Sequence, residues 1–251
     1  MMIHAILGAL FIGLSLGIFG SGGSILTVPV LMYLVDMPAN LAIASSLLIV
    51  AGISLFGSIP NIWNNRVSWP HVLLFGVPGM LGTYGGAWLG TLVDSVVQLS
   101  VFVLLMLVAA VMMWRSNNSE QSAGEIKFLK VALDGLIVGV ITGFVGVGGG
   151  FLIVPALVLL GGVPMVLAIG TSLLIITLKS FVGFAKYYEV LTAQQFSFDW
   201  TVMGIMVVGG VVGSLFGSWL GHTLPKEKLQ KAFSVFLIVM ASVVLTQSIL
   251  N

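Results

Sequence analysis

The chain contains no cysteine and very little charge: 9 Lys or Arg and 8 Asp or Glu among 251 residues, or 7%. The missing thiols exclude disulfides, thiolate metal sites and cysteine nucleophiles. A soluble domain carries about 25% charged residues, so the low charge excludes a soluble globular protein. With 59% hydrophobic residues it is not a disordered chain either. A formal net charge of +1 offers nothing to nucleic acid. Three scattered histidines supply no metal-ligand spacing, so no metal or cofactor is expected.

What remains is long stretches without charge. Met1–Val35, Met37–Asn65, Val67–Val93, Ser95–Trp114, Gly135–Leu178, Trp200–Pro225 and Ala232–Asn251 hold no Asp, Glu, Lys or Arg. A membrane-crossing helix needs roughly 20 apolar residues, and each run can hold one. Lipid leaves backbone groups no partner outside their own segment, which selects helices. A transmembrane β-barrel would alternate polar and apolar residues, and these runs are apolar on both faces. The expected fold class is an all-α integral membrane protein. The first run lacks a basic start and is longer than a signal peptide, so it reads as retained.

The chain repeats itself. Shifted by 126 residues, Gly13–Val50 lies over Gly139–Ile176 without a gap, with 18 of 38 positions identical, including five glycines and two prolines. Shifted by 131, Gly82-x3-Gly86-x-Trp88-Leu89-Gly90 matches Gly213-x3-Gly217-x-Trp219-Leu220-Gly221. Five extra residues of the second half fall near Lys186–Phe198. Residues 1–114 form one half, 115–130 a polar connection, and 131–251 the other half. Each half predicts a first helix (3–19; 131–145), a glycine loop, a short helix (25–35; 151–161), a long helix (39–59; 165–185), a glycine-ridged helix (69–92; 200–222) and a last helix (95–114; 229–249). The short element is about 16 Å long at 1.5 Å per residue, too short to cross straight, so it reads as broken or re-entrant beside four full helices. Lys and Arg favour cytoplasmic loops. Inverted halves place Arg66, Arg115, Lys127, Lys130, Lys226, Lys228 and Lys231 together and leave only Lys186 opposite, with both termini outside. Parallel halves split the cations five to three and fit less well.

The glycine segments Gly20-Ser21-Gly22-Gly23-Ser24 and Gly146-Val147-Gly148-Gly149-Gly150 are the candidate site. Glycine tolerates positive φ and close approach. Broken backbone at membrane depth survives only inside protein or beside a wet cavity. Each segment precedes a helix start, where free N–H groups attract anions. Paired broken helices of this kind hold substrate in secondary transporters. The plainer reading is tight helix packing by small residues. No strand precedes the glycines and no acidic residue follows about 20 residues on, so a dinucleotide loop is excluded.

The paired pattern resembles the TauE/SafE sulfite exporter family. Gly20-x-Gly22-Gly23-x3-Val28-Pro29 and Gly146-x-Gly148-Gly149-Gly150-x3-Val154-Pro155 carry the resemblance, with Ala44-Ser45-Ser46 and Gly170-Thr171-Ser172 after them. It covers nearly the whole chain. It implies a multi-pass permease of the bacterial inner membrane, handling sulfite, sulfonates or related organosulfur anions, with export the implied direction. The sulfur chemistry comes from the resemblance alone; the glycine segments by themselves point only to an anion.

Further polar groups stand inside the spans. Ser45, Ser46, Thr171 and Ser172 could donate to an oxyanion, or bond back to their own helix. Lys179, whose repeat partner is Ile53, is costly at membrane depth and is therefore a functional candidate. It could neutralise a bound anion or carry a coupling proton. It could instead snorkel, or pair with Glu189 or Asp134. His71 and His222 read as interfacial, and the six tryptophans as an aromatic belt. The ridges Gly82/Gly86/Gly90 and Gly213/Gly217/Gly221 read as packing between halves, or as a homodimer contact. The expected function is a secondary transporter driven by an ion or substrate gradient. A passive anion channel and an importer are the alternatives, and an enzyme is not expected.

Overall fold

A computed structural model describes residues 2–115, 128–146, 150–221 and 226–250. It is 88% helical, and no strand occurs among the described residues. The helices are α1 (Met2–Phe19), α2 (Ser24–Tyr33), α3 (Ala39–Trp63), α4 (Trp69–Gly90), α5 (Ser95–Arg115), α6 (Phe128–Val145), α7 (Gly150–Pro155), α8 (Met165–Ala193), α9 (Trp200–Gly221) and α10 (Lys226–Leu250). A 3-10 turn, Gly20–Gly23, joins α1 to α2. A π turn, Ala156–Leu160, follows α7; it begins after Pro155, which lacks an amide donor, and the Gly161 N–H bonds the Ala156 carbonyl at 3.0 Å. Six helices (α3, α4, α5, α6, α8 and α9) are long and apolar enough to cross a membrane. The protein is an all-α, multi-pass membrane protein.

The two long helices run past their expected ends. α3 has 25 residues and α8 has 29, so four of the five extra residues of the second half extend a helix rather than a loop. All six positive-φ residues among those described fall in matched pairs: Gly20 with Gly146 (both 69°), Asp36 (57°) with Gly162 (64°), and Asn65 (54°) with Gln195 (66°). The chain therefore reverses at corresponding points of both halves.

Glycines set how the helices meet. A Cβ on Gly13 would strike the Gly210 carbonyl, one on Gly213 the Leu10 carbonyl and one on Gly217 the Leu14 carbonyl, so α1 and α9 run parallel with backbones touching. Gly135 against Phe75, Gly139 against Gly79 and Gly143 against Thr83 do the same for α6 and α4. The ridges read from sequence lie on these seams, Gly213 and Gly217 against α1 and Gly82, Gly86 and Gly90 against the Leu136, Val140 and Phe144 carbonyls of α6, and they pack one half onto the other. α3 runs parallel to α9 (Gly52 at Val207, Gly57 at Ser214), and α8 parallel to α4 (Gly76 at Ile175, Gly183 at Thr83). α3 and α8 are antiparallel, with Leu47 beside Gly183 and Asn61 beside Gly170. Two bundles result, α1–α3–α9 and α4–α6–α8, pointing in opposite directions and crossing where α3 meets α8. α5 packs on α10. α2 turns back along α1, placing Val30 beside Gly8. The six tryptophans are all exposed on the outer surface.

Candidate functional site

The first elbow is one left-handed glycine followed by helix, and the second opens on the matching left-handed Gly146. After Gly20 the chain enters the 3-10 turn, and Gly23 already has helical φ and ψ (−64°, −22°) where α2 begins. The open loop of bare amides expected from the glycines is thus reduced to the first turn after the reversal. Backbone groups left unpaired at membrane depth are costly, so the chain recovers its bonds at once. The elbow packs against α7 and α8, and a Cβ on Gly20 would meet Ile169 Cα at 3.0 Å and Ser172 Oγ at 3.1 Å. Gly146 in turn lies against Ile43 and the Tyr187 hydroxyl. Each elbow is therefore covered by the long helix of the other half. Both glycines are buried and line neither described cleft. At Gly20 and Gly146 themselves the neighbours are an isoleucine and a hydroxyl group each.

Ser46 and Ser172 occupy matching places beside the opposite elbow. Ser172 donates to the Ile169 carbonyl (2.8 Å), and Ser46 donates to the Ile43 carbonyl (2.7 Å) while reaching the Gly146 carbonyl (3.1 Å). Thr171 Oγ1 accepts the Ser68 N–H at 2.9 Å. Ser45 Oγ is buried without a partner among the described residues and lines a cleft of about 190 Å³ with Asp36, Leu41, Phe198 and Asp199. Ser24 is buried in the first turn of α2. Ser21 and Gly22 belong to the 3-10 turn, and the Ser21 side chain is not among the described groups. Gly150 begins α7. Val147, Gly148, Gly149 and His222 lie outside the described residues.

Lys179 neither snorkels nor pairs. It is 1% exposed, and its Nζ has no hydrogen-bond partner among the described residues. Glu189 bonds Lys186 instead, at 3.0 Å. The Lys179 stem lies in the groove opened by Gly79, with Nζ 5.9 Å from the Phe75 ring centre. The corresponding groove, at Gly210, holds Ile53. Lys179 thus occupies a socket that in the other half takes an aliphatic side chain, between the Gly170 and Gly183 contacts of α8 with α3.

Two polar residues escaped the sequence reading. Gln98 Nε2 donates toward the Tyr187 hydroxyl (2.8 Å) and the Gly90 and Phe144 carbonyls (2.9 Å each), and the Tyr187 hydroxyl reaches the Phe144 carbonyl at 3.2 Å. This latch ties α4, α5, α6 and α8 together beside Gly146 and lines a second, 50 Å³ cleft. The signals were a glutamine inside an apolar run and a tyrosine at the repeat position of Asn61. His71, read as interfacial, is buried, with Nδ1 2.8 Å from Ser68 Oγ. Among the described residues no group of three or more His, Asp or Glu side chains could hold a metal.

The family description "Sulfite exporter TauE/SafE" matches residues 5–244. The chain belongs to the TauE/SafE family. Relatives within reach of sequence comparison include a probable membrane transporter protein of Xylella fastidiosa, 32% identical over 94% of this chain and 92% of the relative. A Haemophilus influenzae protein of the same description is 28% identical over 91% of this chain and 92% of its own. One from Methanocaldococcus jannaschii is 26% identical over 72% and 70%. No solved structure matches. As a TauE/SafE member with six membrane-capable helices, the protein is a membrane transporter.

Proposed function

We propose that this transporter exports sulfite, sulfonates or related organosulfur anions across the bacterial inner membrane by alternating access. Two inverted halves, residues 1–114 and 131–251 joined by 115–130, carry one anion site between the elbows Gly20–Ser24 and Gly146–Gly150. Ser45, Ser46, Thr171 and Ser172 supply hydroxyls around it. The counterpart helices α1 and α6, α3 and α8, and α4 and α9 run in opposite directions, which supports inversion. The observation that carries the anion reading is Lys179: a cation buried at membrane depth without a counter-charge is costly unless an anion visits it. Anion access to Gly20 and Gly146 requires Ile169 and Ile43, which lie against them, to give way.

We infer that the moving bodies are mixed bundles rather than the two halves rocking as units. Backbone contact locks α1 to α9 and α6 to α4, so each rigid bundle mixes helices of both halves. Rocking occurs between α1–α3–α9 and α4–α6–α8, across the α3–α8 crossing and the elbows. The same site without a second arrangement would serve a passive channel. Uptake into proteoliposomes of sulfite, sulfate, taurine, sulfoacetate and thiosulfate, with and without a pH gradient, tests the reading. Saturable flux of at least one sulfur anion is expected. Flux of none overturns it, and electrogenic flux beyond carrier turnover favours the channel.

A further inference from the structure

Three polar groups on one face of α3 and on α9 opposite it have no hydrogen-bond partner among the described residues: Ser54 Oγ and Asn61 Oδ1 on α3, the latter's stem also against Gly170 of α8, and Ser214 Oγ on α9. Each residue is at most 1% exposed. Ser54, Gly57 and Asn61 recur every three or four residues and so share one helix face. Ser214 Oγ sits over Gly57, close enough that a Cβ there would strike it. Along α3 the order is therefore Ser54, Ser214, Asn61, in steps of roughly 5 Å at 1.5 Å per residue. The row starts near the α3–α8 crossing and ends short of Arg66, whose Nη1 is likewise buried and unpartnered.

The repeat makes a control. The positions matching Ser54, Ser214 and Asn61 are Ser180, Thr83 and Tyr187. There Thr83 donates to the Gly79 carbonyl at 2.8 Å, and Tyr187 is held by Gln98 and two carbonyls. Only Ser180 Oγ stays unpaired. Buried polar groups in folded proteins are nearly always paired, with protein or with water. At these matched positions three groups on one side lack a protein partner against one on the other, where Lys179 Nζ and His71 Nε2 are the further unpaired groups, so the row calls for water or a ligand.

The geometry points to a track of oxyanion contacts along α3 and α9, leading from the Arg66 side to the α3–α8 crossing. Ser54 and Ser214 donate to the anion's oxygens, and Asn61 Oδ1 accepts from water travelling with it. Successive contacts about 5 Å apart hand a partly dehydrated anion along without a deep well. The Tyr187–Gln98 latch occupies the corresponding place on the other side, so the track is one-sided. This inference rests on the transporter reading above.

The test exploits the sign of a stability effect. Replacing an unpaired buried hydroxyl by a methyl is neutral or stabilising when the group is only structural. Ser54→Ala, Ser214→Ala and the double variant are expected to keep the melting temperature in detergent, while proteoliposome uptake of sulfite and thiosulfate falls at least tenfold in kcat/KM for the double variant. Gly57→Ala, whose methyl blocks the Ser214 hydroxyl, gives an independent arm with the same expected loss. Wild-type uptake retained by all four folded variants overturns the track and leaves the transporter reading standing. No uptake of any tested anion by the wild type overturns both.

Discussion

Lys179 separates charge from packing, because the matching socket already takes Ile53. Lys179→Ile should therefore fold at least as stably as the wild type, since an unpaired buried ammonium is lost and a fitting aliphatic gained. Its sulfite uptake should fall at least tenfold; unchanged kinetics would remove the lysine from the site. Tyr187 is the reverse case. Tyr187→Phe removes the buried hydroxyl while Gln98 keeps the Gly90 and Phe144 carbonyls, an expected loss of about 0.5–1.5 kcal/mol, read as a lower melting temperature. Lys179 could be found in the sequence because a lone cation in an apolar run is conspicuous. Gln98 and Tyr187 could not, because their roles depend on three carbonyls and a hydroxyl supplied by other helices.

Among the elements, the elbows and the glycine seams make different demands. Gly20 and Gly146 need positive φ, and a side chain there strains the backbone by about 1–3 kcal/mol. Gly146→Ala should cost more than Gly20→Ala, because its Cβ would also strike Ile43. Thermal unfolding of the two variants checks the order. Gly139 and Gly213 have ordinary φ but no room, so alanine there overpacks a seam between backbones, an expected loss of about 1–3 kcal/mol. The position of each elbow was legible because Gly and Pro act on their own stretch of backbone. The neighbours of Gly20 and Gly146 were not, because Ile169 and Ile43 arrive from the opposite half.

For the whole molecule, the mixed bundles make a mechanical prediction that the absence of native cysteine makes clean. A disulfide from Ala9→Cys and Gly209→Cys, within one bundle, should leave transport intact. A flexible bifunctional thiol cross-linker between Leu47→Cys and Gly183→Cys, across the α3–α8 contact, should abolish it, with each single variant as control. The opposite result would show that the repeats move as units. Membrane orientation has its own check: cysteines replacing Arg66 and Lys228 should label from the same side and one replacing Asp94 from the other, and labelling of Arg66 and Lys228 from opposite faces would refute inversion.

Composition alone placed this chain in a lipid bilayer as helices, and self-similarity alone showed a doubled unit with a break in each copy. Both follow from local quantities: hydropathy along a run, and the backbone freedom of glycine and proline. Which half each helix leans on was decided only in three dimensions. α1 seeks α9 and α6 seeks α4, because glycine ridges far apart in sequence let backbones touch. That exchange lays Ile169 and Ile43 against Gly20 and Gly146, buries Lys179 in the groove at Gly79 and leaves polar groups of the Ser54–Asn61 face unpaired, none of which a run of apolar letters can express.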